Sequence, residues 1–318
     1  MSKLDPALEA WRARGSFYSV KPLALHVFAL DLGDSGASSD DTLLLLHGFP
    51  ESSFSFNKVV DGLRNTFARI VLLDMPGYGF SDKPGAEYSY SLVPQADSVL
   101  QVWQQLGVRG GHVLSHDMGT SVLTELVARH VNRQLPASFS DGLKSITFTN
   151  GSMVLKLAKL RLMQKLLLNK AVGPLVSSQA RYAVFRQTVL SGHGVGIGSP
   201  GGLSEQDIQL LWQGCTLQNG HQKNHHLIRY LNDRKRFEST RWLPALKLLD
   251  GDVPIHICWG DADQVARVEM AHYLQAQICP SASLSIMPSA GHFCQLGSPA
   301  LWLDTVSQFF GDLSSFRV

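Results

Sequence analysis

The sequence predicts an α/β protein: a mostly parallel central sheet with helices on both faces and a helical insertion past its midpoint. Three observations predict it. Short apolar runs without polar alternation recur along the chain, as strands buried on both faces require. Stretches of helical period separate these runs, which implies right-handed crossovers and parallel pairing. The chemically capable residues directly follow the runs, at the carboxyl ends of strands, where ligands bind in such sheets.

The elements follow in order. Residues 1–41 differ from the rest: "SFYSVKPLALHVFALDLGDSG" reads as two early strands in a hairpin and a polar link. The runs "TLLLLHGFP" (42–50), "RIVLLDMPG" (69–77), "GGHVLSHD" (110–117) and "KSITFTNG" (144–151) then supply a first set of strands. From 151 to 240 the strand pattern stops, and the period is helical. This segment is expected to be a lid over the sheet, dividing the core into 1–150 and 241–318. Within it "SGHGVGIGSPGG" (191–202) lacks the spacing of a phosphate cradle and is expected to link two helices, with Ser204 capping the second. "VPIHICWGD" (253–261) and "SLSIMPSAGH" (283–292) complete the sheet.

Composition bounds the function. The 318 residues are 44% hydrophobic and 17% charged, enough for one large core. A net charge of +2 gives no bulk case for nucleic acid. The N-terminal "MSKLDPALEAWRARGSFYSV" lacks the apolar centre of a signal peptide. Four cysteines without metal-ligand spacing fit a reducing compartment, so a cytoplasmic protein without metal or organic cofactor is expected. No run approaches the length of a membrane span. "MVLKLAKLRLMQKLLLNKAV" (153–172) has an apolar stripe and a basic face. It reads as a lid helix with solvated lysines, and peripheral contact with a membrane surface is the alternative.

"LSHDMGTSV" carries the chemistry. A nucleophile on a tight strand-to-helix turn needs small residues two before and two after it, and Ser115 and Gly119 provide these around Asp117. The start of the following helix favours an ionised carboxylate there; alone, the same residues equally describe an aspartate cap. Three further stretches favour the nucleophile. The N–H groups of Phe49, in "HGFP", and Met118 would form an oxyanion hole in this architecture. "WGDAD" offers Asp261 and Asp263, and "AGHF" offers His292. Asp263 is favoured as the histidine's partner because it lies deeper in the loop, whereas Asp261 closes the turn after Gly260. His47 is expected to brace the oxyanion loop. His221 and His225 stand one helical turn apart but lack a third metal ligand.

The layout "LLLLHGFPESS…IVLLDMPGYGFSDKP…VLSHDMGTSVLTEL…CWGDAD…SAGHF", with "TNG" and "YLNDRKRFESTRW", resembles the α/β-hydrolase fold. Within that fold it resembles the epoxide hydrolase and haloalkane dehalogenase branch, and most nearly the mesoderm-specific transcript group with its bacterial relatives. The resemblance runs from about Trp11 to the C-terminus. It implies a small-molecule substrate, attack by Asp117 on saturated carbon, and an alkyl ester hydrolysed with His292 as base and Asp263 orienting it. Epoxide hydrolases of this branch protonate the leaving oxygen with lid tyrosines, which here means Tyr230 and Tyr182. Dehalogenases hold halide with side chains where this chain has Met118 and Phe49, neither a donor, although Trp212 supplies one indole N–H. Epoxide hydrolysis is therefore the expected reaction, with haloalkane dehalogenation and ester or lactone hydrolysis as alternatives. A non-catalytic ligand receptor is the alternative of another class, and the complete Asp117–Asp263–His292 set argues against it. Oligomeric state is left open by the sequence.

Overall fold

The computed structural model describes residues 3–315. Its eight strands are β1 (Ser16–Val20), β2 (Leu25–Gly33), β3 (Thr42–Leu46), β4 (Arg69–Leu73), β5 (Gly110–His116), β6 (Gly142–Thr149), β7 (Ile255–Gly260) and β8 (Ser283–Met287). They form one sheet in the order β1-β2-β4-β3-β5-β6-β7-β8. β2 runs antiparallel to both β1 and β4, and every other pair is parallel. The expected hairpin is thus the antiparallel edge of a parallel sheet. A helix at Pro6–Ala13, not foreseen, precedes it and buries Leu8 and Trp11.

The apolar runs are continuous because both faces are covered. Along β3, Leu43 and Leu45 enter one core while Leu44 and Leu46 enter the other. β4 divides likewise, with Ile70 and Leu72 on one side and Val71 and Leu73 on the other. Period-two alternation is present, but both phases are apolar. The helices Leu92–Gln105 and Met118–Val131 contribute to the core of Leu44 and Leu46, and Trp302, Val306 and Phe309 of the C-terminal helix to that of Leu43 and Leu45.

Between β6 and β7 the described chain holds helices and loops without a strand. The expected helix over 153–172 is not formed as such: helix begins only at Leu162 and ends at Leu168. Tertiary anchors override the period upstream. The Met153 N–H meets Met270 Sδ, the Leu155 N–H donates to Glu238, and Met153 and Val154 are buried. Downstream, Ser204 caps Glu205–Thr216 as expected, in a reciprocal box with Asp207. The end of this helical stretch is fastened to the helix after β5, where buried Glu125 accepts from Arg241 and from the Trp242 indole. Among the described residues, no helix is long and apolar enough to cross a membrane.

Candidate active site

The carboxyl ends of β3, β5, β6, β7 and β8 converge. Asp117 sits between β5 and its helix with φ 45° and ψ −115°, a region that non-glycine residues enter at a cost. The turn is tight enough to dictate its neighbours. A Cβ on Gly119 would lie 2.5 Å from the His47 carbonyl oxygen, and one on Gly48 would lie 2.5 Å from the Asp117 Cβ. Only glycine lets the β3 loop approach the turn this closely.

The Phe49 N–H donates to Asp117 Oδ2 at 2.9 Å. His47 holds this loop, as expected: its Nε2 accepts from the Met75 N–H at 3.0 Å, so its Nδ1 donates to the Gly48 carbonyl. On the other side of the carboxylate, His292 Nε2 stands 3.7 Å from Asp117 Oδ1, and His292 Nδ1 stands 2.8 Å from Asp263 Oδ2. All three side chains are buried. Asp263 is fully engaged, its other oxygen accepting from the Val265 and Ala266 N–H groups. Asp261 is exposed and instead accepts from the Ser289 N–H, tying the β7 and β8 loops together. Burial disfavours a charged His292, but the carboxylates of Asp263, Asp117 and Glu51 outweigh it and raise the imidazole from 6.5 to about 9.

Several residues around this set escaped the sequence reading. Asn150 donates to Asp263 Oδ2 at 2.8 Å and accepts from the Gly260 N–H. Its place in "TNG", at the end of an apolar run, was the available signal. Glu51 and His116 form a buried pair at 2.5 Å, and His116 Nε2 reaches the His292 carbonyl at 2.8 Å. Gln295 donates to the second Glu51 oxygen. Desolvation opposes the Glu51 charge, yet His116 holds its carboxyl below the usual range. His193, in the glycine-rich link, accepts the Phe293 N–H on its ring, while its carbonyl accepts the His292 N–H.

A cavity of about 360 Å³ opens above the set. Asp117, His292, Phe49, Tyr230 and Trp212 line it, and most of the remaining wall is apolar. Tyr230 is buried, and burial and the Asp117 charge push its phenol well above the usual tyrosine range. Arg234 pulls in the other direction. Its guanidinium lies 4.9 Å from the Tyr230 ring, and its Nε donates to Ser121 at 2.8 Å. Both terminal nitrogens of this fully buried side chain lack a protein acceptor. Tyr78 is also buried, 4.9 Å from the His47 ring, and feels the charges of Tyr230 and Asp117.

Tyr182 does not join them. It lies outside the cavity wall, and its hydroxyl donates to Glu205, which Arg186 also grips. Of the two tyrosines expected as proton donors, the structure brings Tyr230 to the cavity and leaves Tyr182 outside it. His221 and His225, expected to lack a third metal ligand, lie in the 3-10 turn Leu217–Lys223 and the helix Asn224–Leu227, and His225 meets Ser177. No group of three or more metal-ligand side chains occurs among the described residues.

Residues 41–299 match the family model for the alpha/beta hydrolase fold. The chain belongs to the α/β-hydrolase family. This α/β-hydrolase is 34% identical to "Putative hydrolase LipZ" of Mycobacterium tuberculosis, over 97% of this chain and 99% of that one. It is 32% identical to the mesoderm-specific transcript homolog protein of Homo sapiens, over 99% and 90% of the two chains. It is 22% identical to "Epoxide hydrolase 2" of Caenorhabditis elegans, over 98% and 82%. The α/β-hydrolase thus has relatives in the groups its motifs resemble.

Proposed function

We propose that the hydrolase opens a small apolar epoxide through an ester of Asp117, under a lid formed by 151–240. One observation carries this reading: a buried carboxylate held on one oxygen by the Phe49 N–H, with its other oxygen facing His292, at the floor of an apolar cavity. A carboxylate so placed needs no base to attack saturated carbon. Asp117 Oδ1 forms the C–O bond while the epoxide C–O bond breaks, and the departing oxygen takes the Tyr230 proton. The His292 imidazolium returns a proton to the phenolate and becomes the neutral base of the second step. Water then attacks Cγ of the ester and gives one proton to His292, while negative charge gathers on Oδ2, against the N–H groups of Phe49 and Met118. Collapse expels the diol oxygen, which takes the second water proton, and the resting charges are restored. Asp263 orients the imidazole throughout.

Trp212 in the cavity wall supports a second reading, halide release from a haloalkane, because its indole N–H is a halide donor. The test is a single turnover in heavy-oxygen water with an epoxide, a haloalkane and an ester, followed by mass analysis of the peptide carrying Asp117. Label in that peptide is expected with the epoxide. A substrate turned over without label there would sink the nucleophile assignment, and halide release would favour the second reading. His292→Gln should trap the alkyl ester, adding the substrate's mass to the same peptide. A tight ligand recovered unchanged after long incubation would favour a receptor.

A further inference from the structure

From residue 142 to 204 the chain contains no aspartate or glutamate, and it carries eight lysines and arginines. The remainder has 20 basic and 26 acidic residues, so a near-neutral total hides a segregated charge. Within the segment Arg186 pairs with Glu205, Lys144 with Asp40, and Lys156 covers the Tyr273 ring. Lys159, Lys165, Lys170 and Arg181 are exposed, and no ion pair engages them among the described residues.

The same segment exposes large aliphatic side chains: Leu162 at 73%, Leu175 at 63%, Val184 at 49% and Val172 at 38%. Single exposed aliphatic side chains are ordinary, but three of these adjoin or belong to the cavity wall. Leu162 falls between the wall residues Arg161 and Met163, Leu175 precedes Val176, and Val184 is itself part of the wall. The rim of the cavity is therefore both apolar and cationic.

We propose that this rim docks on an anionic lipid surface. Leu162, Val172, Leu175 and Val184 enter the headgroup region, while Lys159, Lys165, Lys170 and Arg181 attract acidic headgroups. The two properties select the occupant together. A second copy packed about a two-fold axis would press this face against itself, cation on cation. An acidic aqueous ligand would satisfy the lysines and leave the leucines in water. A bilayer with acidic lipid offers negative charge and apolar depth at one surface. The helices Leu162–Leu168 and Gly173–Ser178 are too short to span it, so the contact is peripheral.

The test sediments the full chain with vesicles of two parts phosphatidylcholine to one of phosphatidylglycerol, and with phosphatidylcholine alone. Binding to the anionic vesicles, weakened by salt and much smaller on the neutral ones, is expected. Reversing two rim charges, Lys165→Glu with Lys170→Glu, should lower partitioning by about tenfold or more. Leu162→Asp with Leu175→Asp should lower it comparably. Lys21→Glu, at an exposed lysine in the β1–β2 turn, makes a control that binds nearly as wild type does. Unchanged thermal melting of each variant shows that its fold survives. Wild-type protein that stays in the supernatant with anionic vesicles overturns the proposal, as do rim variants that bind like wild type. Retention on polyglutamate without vesicle binding also overturns it, in favour of an acidic protein partner. No substrate enters the experiment, so its outcome is independent of the role given to Asp117.

Discussion

His292 is charged in the resting site at neutral pH because three carboxylates outweigh its burial. Its raised value fixes the sign of a stability effect. The contribution is fully present below about pH 6.5 and is lost as pH rises through about 9. Wild-type protein should therefore lose melting temperature between about pH 6.5 and pH 10 by a few degrees more than His292→Gln does. Parallel melting curves for the two would show that the imidazolium contributes nothing. Esterifying Asp117 removes one of the charges that raise His292, so the pH limb of ester hydrolysis should lie below that of the free enzyme. Arg234 calls for the opposite kind of variant. A buried guanidinium with two unpaired nitrogens is costly, and an apolar replacement of similar length relieves that cost. Arg234→Met is expected to melt no lower than wild type, while epoxide opening slows by roughly tenfold as the Tyr230 phenolate loses its neighbouring cation. A variant that melts lower with unchanged turnover would make Arg234 purely structural.

Among the elements, the turn at Asp117 depends on the close approach of β3. Gly119→Ala places a methyl against the Leu46 and His47 carbonyls, both under 3.0 Å away. It should cost about 1–3 kcal/mol in urea unfolding and lower turnover by displacing the Phe49 N–H. Unchanged stability would mean that the loop yields freely. This turn was legible in the sequence because its constraints are local: an apolar run, small neighbours, then helical period. The strands were legible for the same reason. Glu51 and His116, or Arg234 and Ser121, meet across 65 and 113 positions, and no local pattern marks such a meeting. Tyr182 lies apart from the cavity because a resemblance names the residue type and does not tell which face of a helix turns inward. The 153–172 stretch failed as one helix because contacts to Met270 and Glu238, far along the chain, hold its first part in another form.

At the scale of the molecule, the parallel pairing and the gathering of chemical residues at the strand ends followed from the alternation of runs and helical stretches, whereas the strand order did not. The cavity wall did not follow, because it depends on how the short helices between β6 and β7 lie over Asp117. The charge count was visible from the start, but as a total it concealed its distribution. A net charge of +2 suggests a protein nearly indifferent to charged supports. With eight cations and no acids in one segment and an acidic excess elsewhere, the hydrolase instead carries its charge unevenly along the chain. In chromatography near neutral pH, it should adhere to cation exchangers through the insertion and to anion exchangers through the rest of its surface, turning different faces toward the two resins.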